Sequence, residues 1–506
     1  MVIKMKNLER ISLSDAGINA GGILEFLKEV DKKKYQIHSF MITRHGKVAF
    51  SCDYKPYTSE SEHHLHSFTK GIIALAAGIL VDEGRISTDD LVLSYFPEYK
   101  LDNVSENMKK MKIHHLMTMT SGVEAAHERH GCSDIIRTFL TDPVKYEPGS
   151  RFHYNSENTN MVGAIIKKVT GLNPSEFIKI RLFKPMKIEL QRCDTCPSGL
   201  DQSGGGLYLN IEDMAKITVL VLQKGVWEGK RLVSEEWINR MTAVQYADSI
   251  DFTNPEGKDW RSGYGYYLWR CSIPNAYRFD GTCGQYGIIL EDYDASIVMT
   301  CGEMFTAPVM ELMWKYLLPA LSGNGSASDQ KELEEYTLHL CTDWKTEHEI
   351  ADQEAKDMLS RISGKEIIFP QNKATLLSSE RTNLCYTSKW TENHRTGIQS
   401  ISFRLENGKC FLKYKDNDVC GELPVGMNGD FPIGILHSLW GEYEFWTTVR
   451  CISCSEIELR MGTVHGEPYS IFNLEFDGTN ANVKVEYGPW DKRKPLNRLE
   501  FCCKIQ

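Results

Sequence analysis

His66-Ser67-Phe68-Thr69-Lys70 runs directly into Gly71-Ile72-Ile73-Ala74-Leu75-Ala76-Ala77-Gly78-Ile79-Leu80, and the reading of this stretch decides the fold. Residues three apart on a helix share a face, so a helix opening near Ser67 sets Lys70 beside the serine hydroxyl. The apolar run behind the pair desolvates the ammonium, lowers its pKa and makes a neutral, proton-accepting amine accessible. A first helical turn also carries backbone N–H groups without intrahelical partners, one of which can face a developing oxyanion. This layout suits a serine acyl-enzyme. The plainer alternative is a helix N-cap serine with a snorkelling lysine.

The same spacing occurs again at Ser328-Asp329-Gln330-Lys331, beside Ser322-Gly323-Asn324-Gly325-Ser326-Ala327. That composition reads as a solvated linker with no buried helix to follow. Spacing alone therefore carries little, and the Ser67 copy needs partners. They follow in Glu147-Pro148-Gly149-Ser150-Arg151-Phe152-His153-Tyr154-Asn155-Ser156-Glu157-Asn158, where a Pro-Gly turn delivers Tyr154 and Ser156 ahead of the apolar segment Met161–Gly171. A buried phenol near an ammonium loses its proton more easily, so Tyr154 can share the Ser67 proton and return it to a leaving group. Ser156 can carry a hydrogen bond between Lys70 and that leaving group. The alternative for Tyr154 is an amphipathic aromatic in a helix-capping loop.

With these residues in order, the chain resembles the serine beta-lactamase and penicillin-recognising superfamily, in particular its class C-like esterase, D-aminopeptidase and 6-aminohexanoate-dimer-hydrolase branch. Lys112-Ile113-His114-His115-Leu116-Met117-Thr118-Met119-Thr120-Ser121-Gly122 resembles a further superfamily segment, as do Ser203-Gly204-Gly205-Gly206-Leu207 with Asp213-Met214-Ala215, Gly225–Leu232 and Gly263-Tyr264-Gly265-Tyr266. The resemblance covers about residues 10–320. It implies Ser67 as nucleophile, Lys70 and Tyr154 as a coupled base, and Ser156 as an aid to proton return. It also implies an antiparallel sheet built from both ends of the domain, with a helical lobe inserted and Ser67 at the seam, where pockets form.

Two departures shift the expected substrate. Superfamily members carry Lys-Thr-Gly or His-x-Gly on the strand walling the site; aligned on its glycines, this chain has Thr282-Cys283-Gly284. Without a Lys or His at Thr282, a cation for a substrate carboxylate is missing, which argues against classical beta-lactams. The backbone N–H of Gln285 remains the second oxyanion donor beside that of Ser67, since the role needs no particular side chain. Thr282, Cys283, Gly284 and Asn158 are then the expected substrate-binding residues. Class C enzymes also carry Tyr-Ser/Ala-Asn where this chain has Tyr154-Asn155-Ser156; the Tyr-x-Ser form resembles amide- and ester-cleaving members.

The 506 residues suffice for more than one domain, and the charged (25%) and hydrophobic (42%) fractions are those of a globular chain. A net charge of −10 disfavours nucleic-acid or anionic-membrane partners. Met1–Arg10 lacks a signal-peptide apolar run and no stretch of about 18 apolar residues occurs, so a cytoplasmic location and no membrane span are expected. Fifteen cysteines, an odd number, suit a reducing cytosol. Cys193-Asp194-Thr195-Cys196 and Cys451-Ile452-Ser453-Cys454 lie too far apart for a paired zinc site. His63, His64 and His66 read as a loop, and His127-Glu128-Arg129-His130 lacks the HExxH spacing. No metal or cofactor is expected.

The expected fold is α+β: a beta-lactamase-like hydrolase domain over 1–321, a linker and helical connection over 322–363, and an all-β, lipocalin-like barrel over 364–506. In the first domain a helix is expected over 14–34, a hairpin at Ser39–Thr43 and Val48–Ser51, and strands at Tyr264–Trp269, Tyr277–Phe279, Gly287–Leu290 and Ser296–Thr300. The barrel rests on short alternating runs, from Ile398–Arg404 to Val483–Tyr487, broken by Asn-Gly, Asp-Asn and Asp-Gly turns. The expected activity is cleavage of an amide or ester of a small molecule or short peptide through a Ser67 acyl-enzyme, with acyl transfer to other acceptors as a variant. Homo-oligomer contacts are a further expectation, with the barrel as one surface for them. Loops around His127, Trp260 and Trp269 are expected to wall the pocket. An idle fold acting in binding or assembly is the competing reading, favoured by Thr282 and opposed by Ser67, Lys70 and Tyr154.

Overall fold

A computed structural model describes residues 7–102, 104–124, 134–196, 198–249, 257–323, 327–342, 352–377, 396–427, 429–439, 441–466, 469–487 and 498–506. The His127–His130 segment lies outside them.

A six-stranded antiparallel sheet runs in the order Lys47–Asp53, Ile37–Arg44, Ala295–Cys301, Gln285–Leu290, Ala276–Gly281, Trp269–Arg270. Early and late segments thus share one sheet, as the superfamily resemblance implies. Its central strands are buried on both faces and read as continuous apolar runs. On one face lies the Ala20–Lys33 helix, whose Phe26 ring meets Phe40 at 5.1 Å. On the other lie Ile211–Leu222, through the Thr218–Ser296 hydroxyl bond, and Phe68–Asp82, through Phe68 stacked on Phe279 at 4.7 Å.

Phe68–Asp82 is buried along nearly its whole length because small residues admit its neighbours. A Cβ at Gly71 would stand 2.3 Å from the Phe279 ring, and one at Gly78 2.2 Å from Trp237. Trp237 in turn donates its indole N–H to the Ala74 carbonyl at 3.0 Å. These contacts fix the helix that opens at Ser67.

The C-terminal strands close into a nine-stranded barrel. Antiparallel pairings run from Val419–Met427 through Lys409–Asp416, Ile398–Glu406, Glu366–Ile368, Arg498–Ile505, Asn480–Tyr487, Ser470–Phe476 and Glu456–Thr463 to Gly441–Ser453. A parallel pairing of Gly426–Met427 with Thr448–Val449 closes the ring, and Ile433–Ser438 adds a hairpin strand. Residues such as Leu412, Val483 and Val485 alternate inward with period two, forming a core separate from that of the first sheet.

The barrel touches the other core beside the nucleophile segment. Tyr57 donates its hydroxyl to the Thr463 carbonyl at 3.1 Å and accepts from the Trp446 indole at 3.2 Å; the His64 amide donates to the His465 carbonyl at 3.0 Å.

Several local expectations change. The first helix starts at Ala20, capped by the Asn19 side chain rather than opening near residue 14. Tyr264–Trp269 is not a strand: Gly263 and Tyr267 take positive φ, and only Trp269–Arg270 pairs with Ala276–Gly281. His63–His64 is a short strand paired with Tyr208–Leu209, not a loop. Ser328–Lys331 is helical, in Ala327–Thr342, not linker; the acidic and basic side chains after it sustain a solvated helix that Gly/Ser composition upstream obscures. Cys283 sits in a turn rather than in a strand.

Candidate active site

Ser67 occupies the N-cap of Phe68–Asp82 but its side chain makes no capping bond. Its Oγ instead accepts from Lys70 Nζ at 2.8 Å. Lys70 is 0% exposed, which removes the snorkelling alternative. Burial pulls its pKa down to about 7, against the opposing pull of Asp280 and Glu157. The residue before the serine, His66, has φ 48°, a left-handed conformation uncommon for a side chain-bearing residue and often found at functional sites.

A second bond holds the lysine. Nζ donates to the Gly204 carbonyl at 2.5 Å, and the Gly204 N–H donates to Asn160 Oδ1 at 2.9 Å. Asn160 lies on Ser156–Thr170, whose N-cap is Asn155. Ser156, at its first position, packs so tightly on Gly204 that a Cβ there would lie 2.8 Å from Ser156 Cβ. The Ser-Gly-Gly-Gly segment and the Tyr154–Asn160 segment are thereby brought together at Lys70. Gly204 and Asn160 are the site residues that sequence reasoning missed as lysine anchors. The glycine run was a visible signal for the first; nothing marked the second.

Lys70 Nζ lies 5.1 Å from the Tyr154 ring centroid, a cation–π approach whenever the amine is charged. The ring is held by stacking on Trp269 at 5.5 Å and by an edge contact with Tyr264. Trp269 therefore braces Tyr154, whereas Trp260 is only 2% exposed and lies against the Arg278 guanidinium at 4.6 Å. Asn158 is fully buried and points its amide at Met119 Sδ, 3.6 Å away.

The turn Thr282–Gly284 follows the strand Ala276–Gly281. Cys283 (φ 64°) and Gly284 (φ 82°) are consecutive left-handed residues, a cost borne by the cysteine. Thr282 is exposed; Cys283 is buried, with Sγ 3.5 Å from Met304 Sδ. Gln285 is buried and ties the turn down by donating Nε2 to the Cys301 carbonyl at 2.6 Å and to the Cys283 carbonyl at 3.3 Å. The preceding Gly281 lies against the Leu65 carbonyl, so this turn meets the nucleophile segment directly. Among the described residues no group of His, Cys, Asp or Glu could hold a metal ion. His63, His64 and His66 are buried and kept neutral by desolvation.

A sequence profile described as Beta-lactamase matches residues 29–322, more than half of the chain. The chain belongs to the Beta-lactamase family. Among curated relatives, Protein flp of Staphylococcus aureus (strain MW2) is 25% identical over 167 residues, 30% of this chain and 33% of that protein. The 6-aminohexanoate-dimer hydrolase of Paenarthrobacter ureafaciens is 25% identical over 224 residues, 40% of this chain and 57% of that protein. The chain thus spans about a third of the flp relatives and somewhat over half of the hydrolase. A beta-lactamase-type structure from Bacteroides dorei DSM 17855 aligns with TM-score 0.52 at 17% identity, covering 60% of this chain and 99% of its own. The Beta-lactamase fold of the Ser67 portion is shared with that structure. Among the described residues no helix is long and apolar enough to cross a membrane.

Proposed function

We propose that this chain is a serine hydrolase that cleaves an amide or ester bond of a small molecule or short peptide through a Ser67 acyl-enzyme. The observation that carries the reading is the buried Lys70 amine, 2.8 Å from Ser67 Oγ, with a pKa brought down to about 7. A neutral amine there takes the Ser67 proton as Oγ attacks the substrate carbonyl carbon. The backbone N–H groups of Ser67 and Gln285 receive the oxyanion of the tetrahedral intermediate. Its collapse expels the amine or alcohol, protonated by the Lys70–Tyr154 pair with Ser156 assisting; because the pair shares protons, neither is the sole base. Water then releases the acid, or another nucleophile takes the acyl group.

Thr282 and the backbone of Cys283 and Gly284 form the substrate side in this reading, while Asn158, fully buried against Met119, acts by positioning rather than by contact. An exposed Thr282 in place of a cation favours substrates without a carboxylate at that position. The hydrolase unit spans 1–321, the connection 322–363 and the barrel 364–506.

The test is a fluorophosphonate probe with the adduct mapped by mass spectrometry, alongside turnover of p-nitrophenyl esters. Labelling at Ser67 that disappears in Ser67→Ala is expected. Folded wild type that takes no adduct and turns over no ester returns the idle-fold reading.

A further inference from the structure

The barrel corner Thr463-Val464-His465-Gly466 docks on the stretch that leads into the nucleophile. The His465 carbonyl accepts from the His64 amide at 3.0 Å, and His465 Nδ1 lies 3.2 Å from the Glu62 carbonyl. A carbonyl can only accept, so Nδ1 carries a proton and donates it. One barrel residue thus bonds two backbone groups on the same edge of the Glu62–His64 segment, as a neighbouring strand would. The other edge pairs with Tyr208–Leu209, and the Leu65 amide extends that pairing by donating to the Leu207 carbonyl at 2.9 Å. Gly466 permits the approach, because a Cβ there would lie 1.8 Å from His63 Cδ2. The corner is fastened to its own barrel by the Val464 amide, which donates to the Glu444 carbonyl at 3.0 Å.

Both strands of this ribbon run straight into the site. Past His64, the Leu65 carbonyl accepts the Phe68 amide at 3.1 Å, with Ser67 inside the turn it closes. Ahead of Tyr208, the Leu207 amide donates to Thr69 Oγ1 at 3.3 Å, and Gly204 supplies the carbonyl that holds Lys70. Between the corner and Ser67 stands His66 at φ 48°, a conformation that persists only where the surroundings over-determine it.

We propose that His465 is a positioning residue for the Ser67 reaction: the barrel corner holds the ribbon of His63–His64 and Tyr208–Leu209, and through it keeps Ser67 Oγ and Lys70 Nζ at bonding distance. This rests on the serine-hydrolase reading and gives the barrel a part in the same site. Reacting atoms misplaced by about 1 Å can cost about 10²-fold in rate, so a clamp several residues from the chemistry still reaches it.

His465→Ala deletes the Nδ1 bond, whereas His465→Asn returns a side-chain N–H donor near the same place. Fluorophosphonate labelling of Ser67 and p-nitrophenyl ester kinetics are measured on both in the full chain. His465→Ala is expected to lower the labelling rate and kcat about tenfold with KM within about twofold, and His465→Asn to recover to within about threefold of wild type. Hydrogen exchange read by mass spectrometry needs no activity: peptides over 62–70 are expected to exchange about tenfold faster in His465→Ala, and those of the Ala20–Lys33 helix at the wild-type rate. Wild-type labelling or unchanged exchange over 62–70 in folded His465→Ala, or a loss that His465→Asn does not recover, overturns the positioning role alone. Wild type that takes no adduct at Ser67 overturns the hydrolase reading and the positioning role with it. Should His465→Ala fail to fold, Tyr57→Phe keeps the ring and removes the hydroxyl bonded to Thr463 and Trp446. Faster exchange over 62–70 is expected there too, and no change overturns the proposal.

Discussion

Ser67–Lys70 and Ser328–Lys331 share one spacing, and both lie at the start of a helix. Their surroundings differ completely. Lys70 has no exposed surface, donates to Ser67 and Gly204, and has its pKa drawn down to about 7. Lys331 stands 76% exposed, with Glu335 at 3.7 Å, and Ser328 is exposed beside it. A shared helical face is therefore necessary for a serine–lysine pair but far from sufficient. The desolvating helix behind Lys70 and the carbonyl in front of it make the chemical difference.

The comparison breaks most visibly if the two serines are exchanged in importance. Ser67→Ala is expected to lower ester turnover by at least about 10³-fold, the scale on which loss of a catalytic nucleophile is felt. Ser328→Ala is expected to leave it unchanged. Steady-state kinetics on purified variants decides this, and comparable losses in both would remove Ser67 from the centre of the mechanism. Tyr154→Phe comes next. It keeps the ring against Lys70 and Trp269 while deleting the hydroxyl, so a loss in kcat of about 10²-fold is expected if the phenol moves a proton. A loss confined to KM would assign Tyr154 to packing alone.

Much of the Ser67 side was legible because it is local: a serine, a lysine three residues on and an unbroken apolar run specify a buried helix without reference to the rest of the chain. The barrel was legible as texture, since strands such as Ser470–Phe476 alternate with period two between turn residues. That texture is weaker in the ring strands Glu366–Ile368, Val419–Met427 and Arg498–Ile505 and in the added hairpin strand Ile433–Ser438. Val419–Met427 carries Gly421, Pro424 and Gly426, which read as breakers; Gly421 lies against the Tyr414 ring and Gly426 pairs where the ring closes. The Lys70 anchors were illegible for another reason. Gly204 and Asn160 act through long-range contacts, one with a backbone carbonyl, and no spacing rule encodes those.

Lys70 also separates function from stability, through pH. Its folded pKa, near 7, lies below the ordinary lysine value of 10.5. Below pH 7 both folded and unfolded chains carry the charge, so the folded state bears the whole cost of burying it. Between about pH 7 and 10.5 the unfolded chain binds the extra proton, and stability from this group rises with pH. Lys70→Met is therefore expected to abolish ester turnover yet to raise the melting temperature, more at pH 6 than at pH 9. In wild type, the acylation rate should climb roughly tenfold per unit below pH 7 and level off above it. A variant equally stabilised at both pH values would mean that Lys70 is charged throughout, and the neutral-amine mechanism would fall.

The smallest expected effect sharpens the comparison from the other side. Lys331→Met removes a solvated ammonium whose ion pair with Glu335 spans 3.7 Å, with both groups mostly exposed. Such pairs contribute little, and a lysine placed N-terminal to its glutamate is the weaker order on a helix. The change in unfolding free energy is expected to stay within about 0.5 kcal/mol and to be the same at pH 6 and pH 9, as for a surface substitution away from the core. Parallel denaturant titrations of Lys70→Met and Lys331→Met then make burial the main variable, since spacing and residue type are matched and both lysines lie near the start of a helix. If Lys331→Met showed the pH dependence expected of Lys70→Met, the difference between the two sites could no longer be assigned to the apolar helix behind Ser67.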